Sequence, residues 1–464
     1  MKKLSLLPKL ILLFSFAFTS VNTAGAKEKN IDHPQAGDSR LKSVGMTKDN
    51  KSIIQKESPA PVFFDDYEKD WRSADSLYNI GLPKSALEIS EKIYEKAKAE
   101  NNQANFVRAI IYRIKLTQGT EEDDFFKSLD RLKLEEANAQ QPVKQVLNSM
   151  LANVYWSYFQ QNRYRFLNRT ETVKFNPADI KTWDLRRITE QTMVHFKMSL
   201  DNPSLLQSIN IESYNEILNN YAYDKEIPNG RPLRPTLFDF LINRAIDFYS
   251  ESEAGLTRPA SQFLLNDKIF LSPAREFAAL DISTNDEYSF DYQAIILYRE
   301  AIKFHLNDPL PDALIDADLS RLKFVNSNSG NIDREKLYLE ALEDMQKKYS
   351  SYFASSDISF SVASVYAARG RNYFPAVSEE YSSDTKKAYD ICRETAELYP
   401  NTIGGSKCKA LMMSLSAKEV GVTVEEVSLP GVASKTLIRY KNINKLYMRV
   451  VETGIRTLTN YICV

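Results

Sequence analysis

Three cysteines, three histidines and 14 glycines are all that 464 residues hold of the types from which most redox, metal and phosphate sites are built. Each shortage excludes something. No G-x-G-x-x-G, G-x-x-x-x-G-K or G-x-S-x-G sequence occurs, so dinucleotide, P-loop and α/β-hydrolase sites have no anchor. His33, His195 and His305 share no metal-ligand spacing, and His195 and His305 read as satisfied surface or core side chains. Three cysteines cannot staple a chain this long, so a hydrophobic core must hold it. Neither charge is in excess: 60 Lys and Arg stand against 61 Asp and Glu, without the positive surplus of a dedicated nucleic-acid binder. Asp316 and Asp318, two apart on a helix, point to different faces and read as helix solvation, not as a paired acid and base. These absences predict a protein that is not an enzyme and needs no cofactor or metal.

What is present begins with an export signal. Lys2, Lys3 and Lys9 precede an apolar run from Leu10 to Phe18, and Ala24 and Ala26 form an A-x-A cleavage site. The run is too short to span a membrane, and no later one is apolar enough. The expected mature chain starts near Lys27, outside the cytoplasm, in the periplasm or envelope of a bacterium. Residues 27–61 are rich in Lys, Asp, Ser and Gln and end in Ser58-Pro59-Ala60-Pro61, which predicts a disordered linker.

Helical periodicity then dominates from Val62. Ala86, Leu87, Ile93, Tyr94 and Ala97 make a stripe behind Pro83, a favourable first-turn proline. Further helices are predicted over 142–160, 185–200, 235–249, 292–306 and 334–349. The fold class is therefore mainly α, a helical array or α-solenoid, with an α-helical domain at 62–330. Two tetratricopeptide-like hairpins follow at 331–418. In them Leu339, Met345 and Tyr349 lead into a helix from Ile358, and Ala388, Cys392, Ala396 and Tyr399 into one from Lys407. From 419 the period changes. Val422–Val427, Thr436–Tyr440 and Leu446–Val451 predict strands, with Leu429-Pro430-Gly431 as a turn, too few to close a sandwich.

Two local features are candidate sites. Trp156, Tyr158, Arg163, Arg165 and Arg169 interleave aromatics with arginine, a pattern that can grip glycans or phosphates, though balanced charge and the export signal favour a buried helix end with snorkelling arginines. Cys392 and Cys408 lie eight residues either side of Pro400. If helices run antiparallel about that proline, the two thiols come level and can form a disulfide.

Taken together, Tyr155-Trp156 through Arg169-Thr170-Glu171, Thr182-Trp183-Asp184-Leu185, Arg234-Pro235-Thr236-Leu237-Phe238-Asp239, Leu256-Thr257-Arg258-Pro259 and Leu314-Ile315-Asp316-Ala317-Asp318-Leu319 resemble the N-terminal helical region of large bacterial alpha-2-macroglobulin family proteins. The stretch from Leu429 to Val450 is similar to the opening strands of that family's first macroglobulin-like β-sandwich. The resemblance spans roughly 62–451. It implies a protease-trap relative, in which a bait segment is cut and, in many members, a Cys–Gln thioester captures the protease. This sequence holds neither a bait region nor a C-G-E-Q-type thioester, so the implied role is a non-catalytic scaffold, with 419–464 an incomplete macroglobulin-like segment and the chain a truncated or frameshifted product. Expected partners are envelope proteins, or proteases through a full-length relative. A free-standing tetratricopeptide-like adaptor for envelope complexes is the alternative.

Overall fold

The computed structural model describes residues 66–448 apart from 118–123, 168–175, 177–178, 219–229, 252–261, 287, 375, 426–432 and 434. The signal segment with Ala24 and Ala26, the linker at 27–61, Arg169, the Leu429–Gly431 turn and Cys463 lie outside the described residues. The chain divides into two compact units, one ending at Asp224 and the other starting at Lys225.

The first unit is built from helices. They are α1 (Asp66–Asn79), α2 (Pro83–Ala99), α3 (Gln103–Thr117), α4 (Asp124–Asn138), α5 (Val143–Gln161), α6 (Arg163–Leu167), α7 (Leu185–Ser199), α8 (Pro203–Ser208) and α9 (Asn215–Leu218). Gly81 adopts a φ of +84°, which lets the chain reverse before Pro83 opens α2. Asp184 ends the approach to α7 as its N-cap, its carboxylate accepting the Arg187 N–H at 2.8 Å. Helix α5 is buried on nearly every side from Val143 to Phe159, as a helix with little one-sided patterning should be. Its Tyr155 stacks on Trp183 with ring centroids 5.4 Å apart, and Trp156 meets Phe159 at 4.8 Å. Trp71, almost fully buried, donates its indole N–H to Asn105 at 2.7 Å, so even its polar edge is satisfied.

The second unit continues with α10 (Leu237–Tyr249), α11 (Ala274–Ala278), α12 (Phe290–His305), α13 (Asp312–Asn328), α14 (Arg334–Tyr349), α15 (Ser355–Arg371), α16 (Asp384–Leu398) and α17 (Ile403–Ser416). Thr236 and Asp239 form a reciprocal capping box at the start of α10. Helices α14 to α17 pack in succession as two helical hairpins, a repeat-like architecture. Their contact is close because it is made by small groups. A Cβ on Gly404 would lie under 3.0 Å from the backbone of Ser356 and Asp357, and one on Gly370 would lie 2.7 Å from the Thr385 nitrogen. Only glycine fits those crossings. Ala363, Ala367, Ala388, Cys392 and Cys408 fill the space between them.

The chain then forms β1 (Glu419–Val424) and β2 (Thr436–Lys441), an antiparallel pair and the one sheet among the described residues. The fold is thus mainly α, with a short, incomplete β segment. Strand β1 starts at Glu419 and stops at Val424, earlier than the predicted 422–427. Leu446–Met448 are not strand, and the remainder of that predicted strand lies outside the described residues. No described helix is long and apolar enough to cross a membrane.

Candidate interaction surface

Polar groups that sequence suggested as solvation turn out to be structural. Asp318 is buried and accepts from Nε of Arg321 at 2.9 Å, while Arg321, with no exposed surface, also donates to the Phe270 carbonyl at 2.6 Å and the Ser272 carbonyl at 2.9 Å. The reading of Asp316 and Asp318 as helix solvation is therefore corrected: Asp316 pairs with Arg234 at 3.0 Å, and Asp318 neutralises a buried cation. They do face different partners. His195 Nδ1 lies 2.7 Å from Asn148 Oδ1, and burial holds its pKa below the usual value. His305 is bracketed by Asp239 at 2.8 Å and Asp308 at 2.6 Å. Burial would lower its pKa, yet the bonds and charges of the two aspartates outweigh that and raise it. No group of three or more metal-capable side chains occurs among the described residues.

The aromatic and arginine cluster is divided by the fold. Trp156 and Tyr158 are core side chains, Tyr158 stacked with Phe125 at 5.0 Å, and so offer no ring face to a ligand. Arg163 and Arg165 are exposed on the short α6. The two aromatics are thus the buried helix end and not a stacking platform, since α5 is buried on nearly every side from Val143 to Phe159. Cys392 and Cys408 are brought together. Both are free and buried in one cluster, and the neighbouring Cys392 thiol together with burial pushes the Cys408 thiol up.

The exposed hairpin is the feature that burial does not explain. In its register Val420 opposes Tyr440, Val422 opposes Ile438, and Val424 opposes Thr436. Side chains directly opposite share a face, so Val420, Val422, Val424, Ile438 and Tyr440 make one continuous apolar surface. The other face carries Glu419, Gly421, Thr423, Leu437, Arg439 and Lys441. Tyr440 is 68% exposed and Val422 53%, so the apolar face is uncovered. The hairpin is nevertheless fixed at its base. Lys441 Nζ donates to the Ser414 carbonyl, and Asn442 Nδ2 to the carbonyls of Leu415 and Ala417, at 2.8 to 3.0 Å. These are the otherwise open carbonyls at the end of α17. Asn442 reaches them from a φ of +54°, a conformation asparagine tolerates. The V-x-V-x-V alternation that makes the face was visible in the sequence; the clasp by Lys441 and Asn442 carried no local signal.

The hairpin thus leaves an apolar face open to solvent and is tied to the end of α17 by side-chain hydrogen bonds. No family model, curated protein or solved structure matches the chain.

Proposed function

We propose that this chain is the non-catalytic, N-terminal helical scaffold of an exported alpha-2-macroglobulin-like protein, presenting its hairpin as a seed on which further β-structure assembles. The uncovered face of Val420, Val422, Val424, Ile438 and Tyr440 carries this reading. A solvent-facing apolar sheet face of this kind is a liability unless something covers it, and a two-stranded sheet is marginal alone. Clasping it to α17 fixes where that cover must form. The sequence holds no bait or thioester, so the role is to position partners, not to trap proteases. Its place is the periplasm or envelope.

The test combines location and continuity. In envelope fractions of the native bacterium, the intact mass of the protein should correspond to cleavage after Ala26, on a polypeptide continuing into β-rich sequence. A cytoplasmic product retaining Met1 would overturn the reading. An exported product with no β-rich continuation would favour the free-standing adaptor. In the chain as given, ending it at Lys418 should cost no more than about 1–2 kcal/mol, the scale of the lost hydrogen bonds, and should lower binding of a hydrophobic dye. A larger loss would show that the hairpin is part of the helical core.

A further inference from the structure

A second surface in the same unit is independent of the hairpin. Between the turn at Lys268–Leu271 and helix α14 lies a cleft of about 380 Å³, near the lower end of the range for specific ligand pockets. One wall is fixed in place: Arg321 holds the carbonyls of Phe270 and Ser272, and Asp318 holds Arg321. Ligand entry therefore needs no prior ordering of that wall. The opposite wall is α14, which lines the cleft from Leu337 to Tyr349, about 18 Å at 1.5 Å per residue. That length accommodates an extended segment of about five residues.

The lining selects the segment's chemistry. Ile269, Pro273, Leu337 and Ala341 supply apolar contact at the accessible level. The exposed charges that line it are Glu340 and Asp344, one turn apart on α14, with Lys348 a turn further and Lys268 on the facing turn. The rim is thus two anions and two cations, and the two buried charges that line the cleft, Arg321 and Asp318, neutralise each other. A purely anionic or cationic ligand would meet as much repulsion as attraction. We propose that this cleft is a docking groove for a linear peptide segment carrying two adjacent apolar side chains flanked by one basic and one acidic residue.

The probes are three blocked tetrapeptides: Lys-Leu-Leu-Glu, Glu-Leu-Leu-Glu and Lys-Leu-Leu-Lys, titrated into the full chain and followed by amide chemical shifts. The first should bind about tenfold more tightly than either of the others. Ala341→Trp, which fills the groove, should abolish binding while circular dichroism and melting temperature stay unchanged. If that variant misfolds, the surface pair Glu340→Lys with Asp344→Lys serves: it should make Glu-Leu-Leu-Glu the preferred probe by about tenfold. The proposal is overturned if no probe saturates at millimolar concentration or if all three bind alike. It also fails if the preference survives the charge reversal, or if a small apolar molecule such as p-cresol binds as tightly as the best peptide. None of these outcomes bears on export or on the hairpin.

Discussion

The N-terminal unit and the last hairpins of the C-terminal unit solve the same problem, helix-on-helix packing, with opposite side chains. Around α5 the contact is made by large rings: Tyr155, Trp156, Phe159 and Trp183 interlock, and Phe159 has no exposed surface. Around α15, α16 and α17 it is made by Ala363, Ala367, Gly370, Ala388, Cys392, Gly404 and Cys408. Ring packing sets helices apart and tolerates small shifts by rotating side chains. Packing through glycine and alanine brings backbones together, so there is no flexible atom left to give way. The first arrangement should be sensitive to losing volume, the second to gaining it.

Gly404→Leu is the sharpest way to break that contrast. Its side chain would have to enter the backbone of Ser356 and Asp357, and the expected cost exceeds about 5 kcal/mol, enough to unfold the hairpins. In the other unit, Phe159→Ala opens a cavity and should cost about 3–5 kcal/mol. Urea unfolding of both variants checks the pair. If Gly404→Leu proves milder than Phe159→Ala, the packing distinction is wrong.

How far these differences were legible depends on what each relies on. The long helices were readable because apolar stripes and capping prolines are local: Pro83 and the 86–97 stripe locate α2 closely. The repeat in α14–α17 was readable from the spacing of Leu339, Met345, Ala388 and Cys392. The close crossings were not, because nothing adjacent to Gly404 in sequence announces that Ser356 will lie against it. The buried Asp318–Arg321 pair was hidden for a related reason. A charged residue at helical spacing looks solvated until the segment that covers it, here the turn ending at Ser272, is placed. The aromatics near Trp156 were legible as a buried helix end, because balanced charge gave no support to a surface reading and α5 is buried on nearly every side there.

The units also hold one described histidine each, and these titrate in opposite senses. Burial lowers the pKa of His195, so its neutral form is the folded one. Its contribution is present above the unfolded value of about 6.5 and is lost as pH falls below it. His305 is raised by Asp239 and Asp308 against burial. Its contribution is complete below about pH 6.5 and is lost as pH rises through the higher folded pKa. Leu at position 305 would leave Asp239 and Asp308 without their cation, and His305→Leu should cost about 3–5 kcal/mol near pH 6. Stability measured from pH 5 to 9 for His195→Gln and His305→Gln, each subtracted from the parent, should give difference curves of opposite slope. Curves of the same slope would remove the distinction.

The cysteines give the smallest and most conditional effect, and they test whether the small-residue packing was shaped for a covalent link. Cys392 on α16 and Cys408 on α17 are buried in one cluster with Ala363, Ala367 and Ala388. Joining them closes a short loop, for which chain entropy gives about 3 kcal/mol less any strain. That gain requires an oxidising compartment, which the proposed export would supply. In protein recovered from the envelope, denatured without reductant, one free thiol per chain is the expected count, belonging to Cys463. Reduction should then lower stability by up to about 3 kcal/mol, and Cys392→Ala should abolish the difference between oxidised and reduced samples. Three free thiols would instead make Cys392 and Cys408 two small apolar fillers of a tight crossing. In that case Cys392→Ala should cost only about 1 kcal/mol, whatever the redox state. Either result bears on the comparison of the two units. A disulfide would mean that glycine-and-alanine packing needs a covalent brace where rings do not, whereas free thiols would mean that close backbone approach is stable unaided.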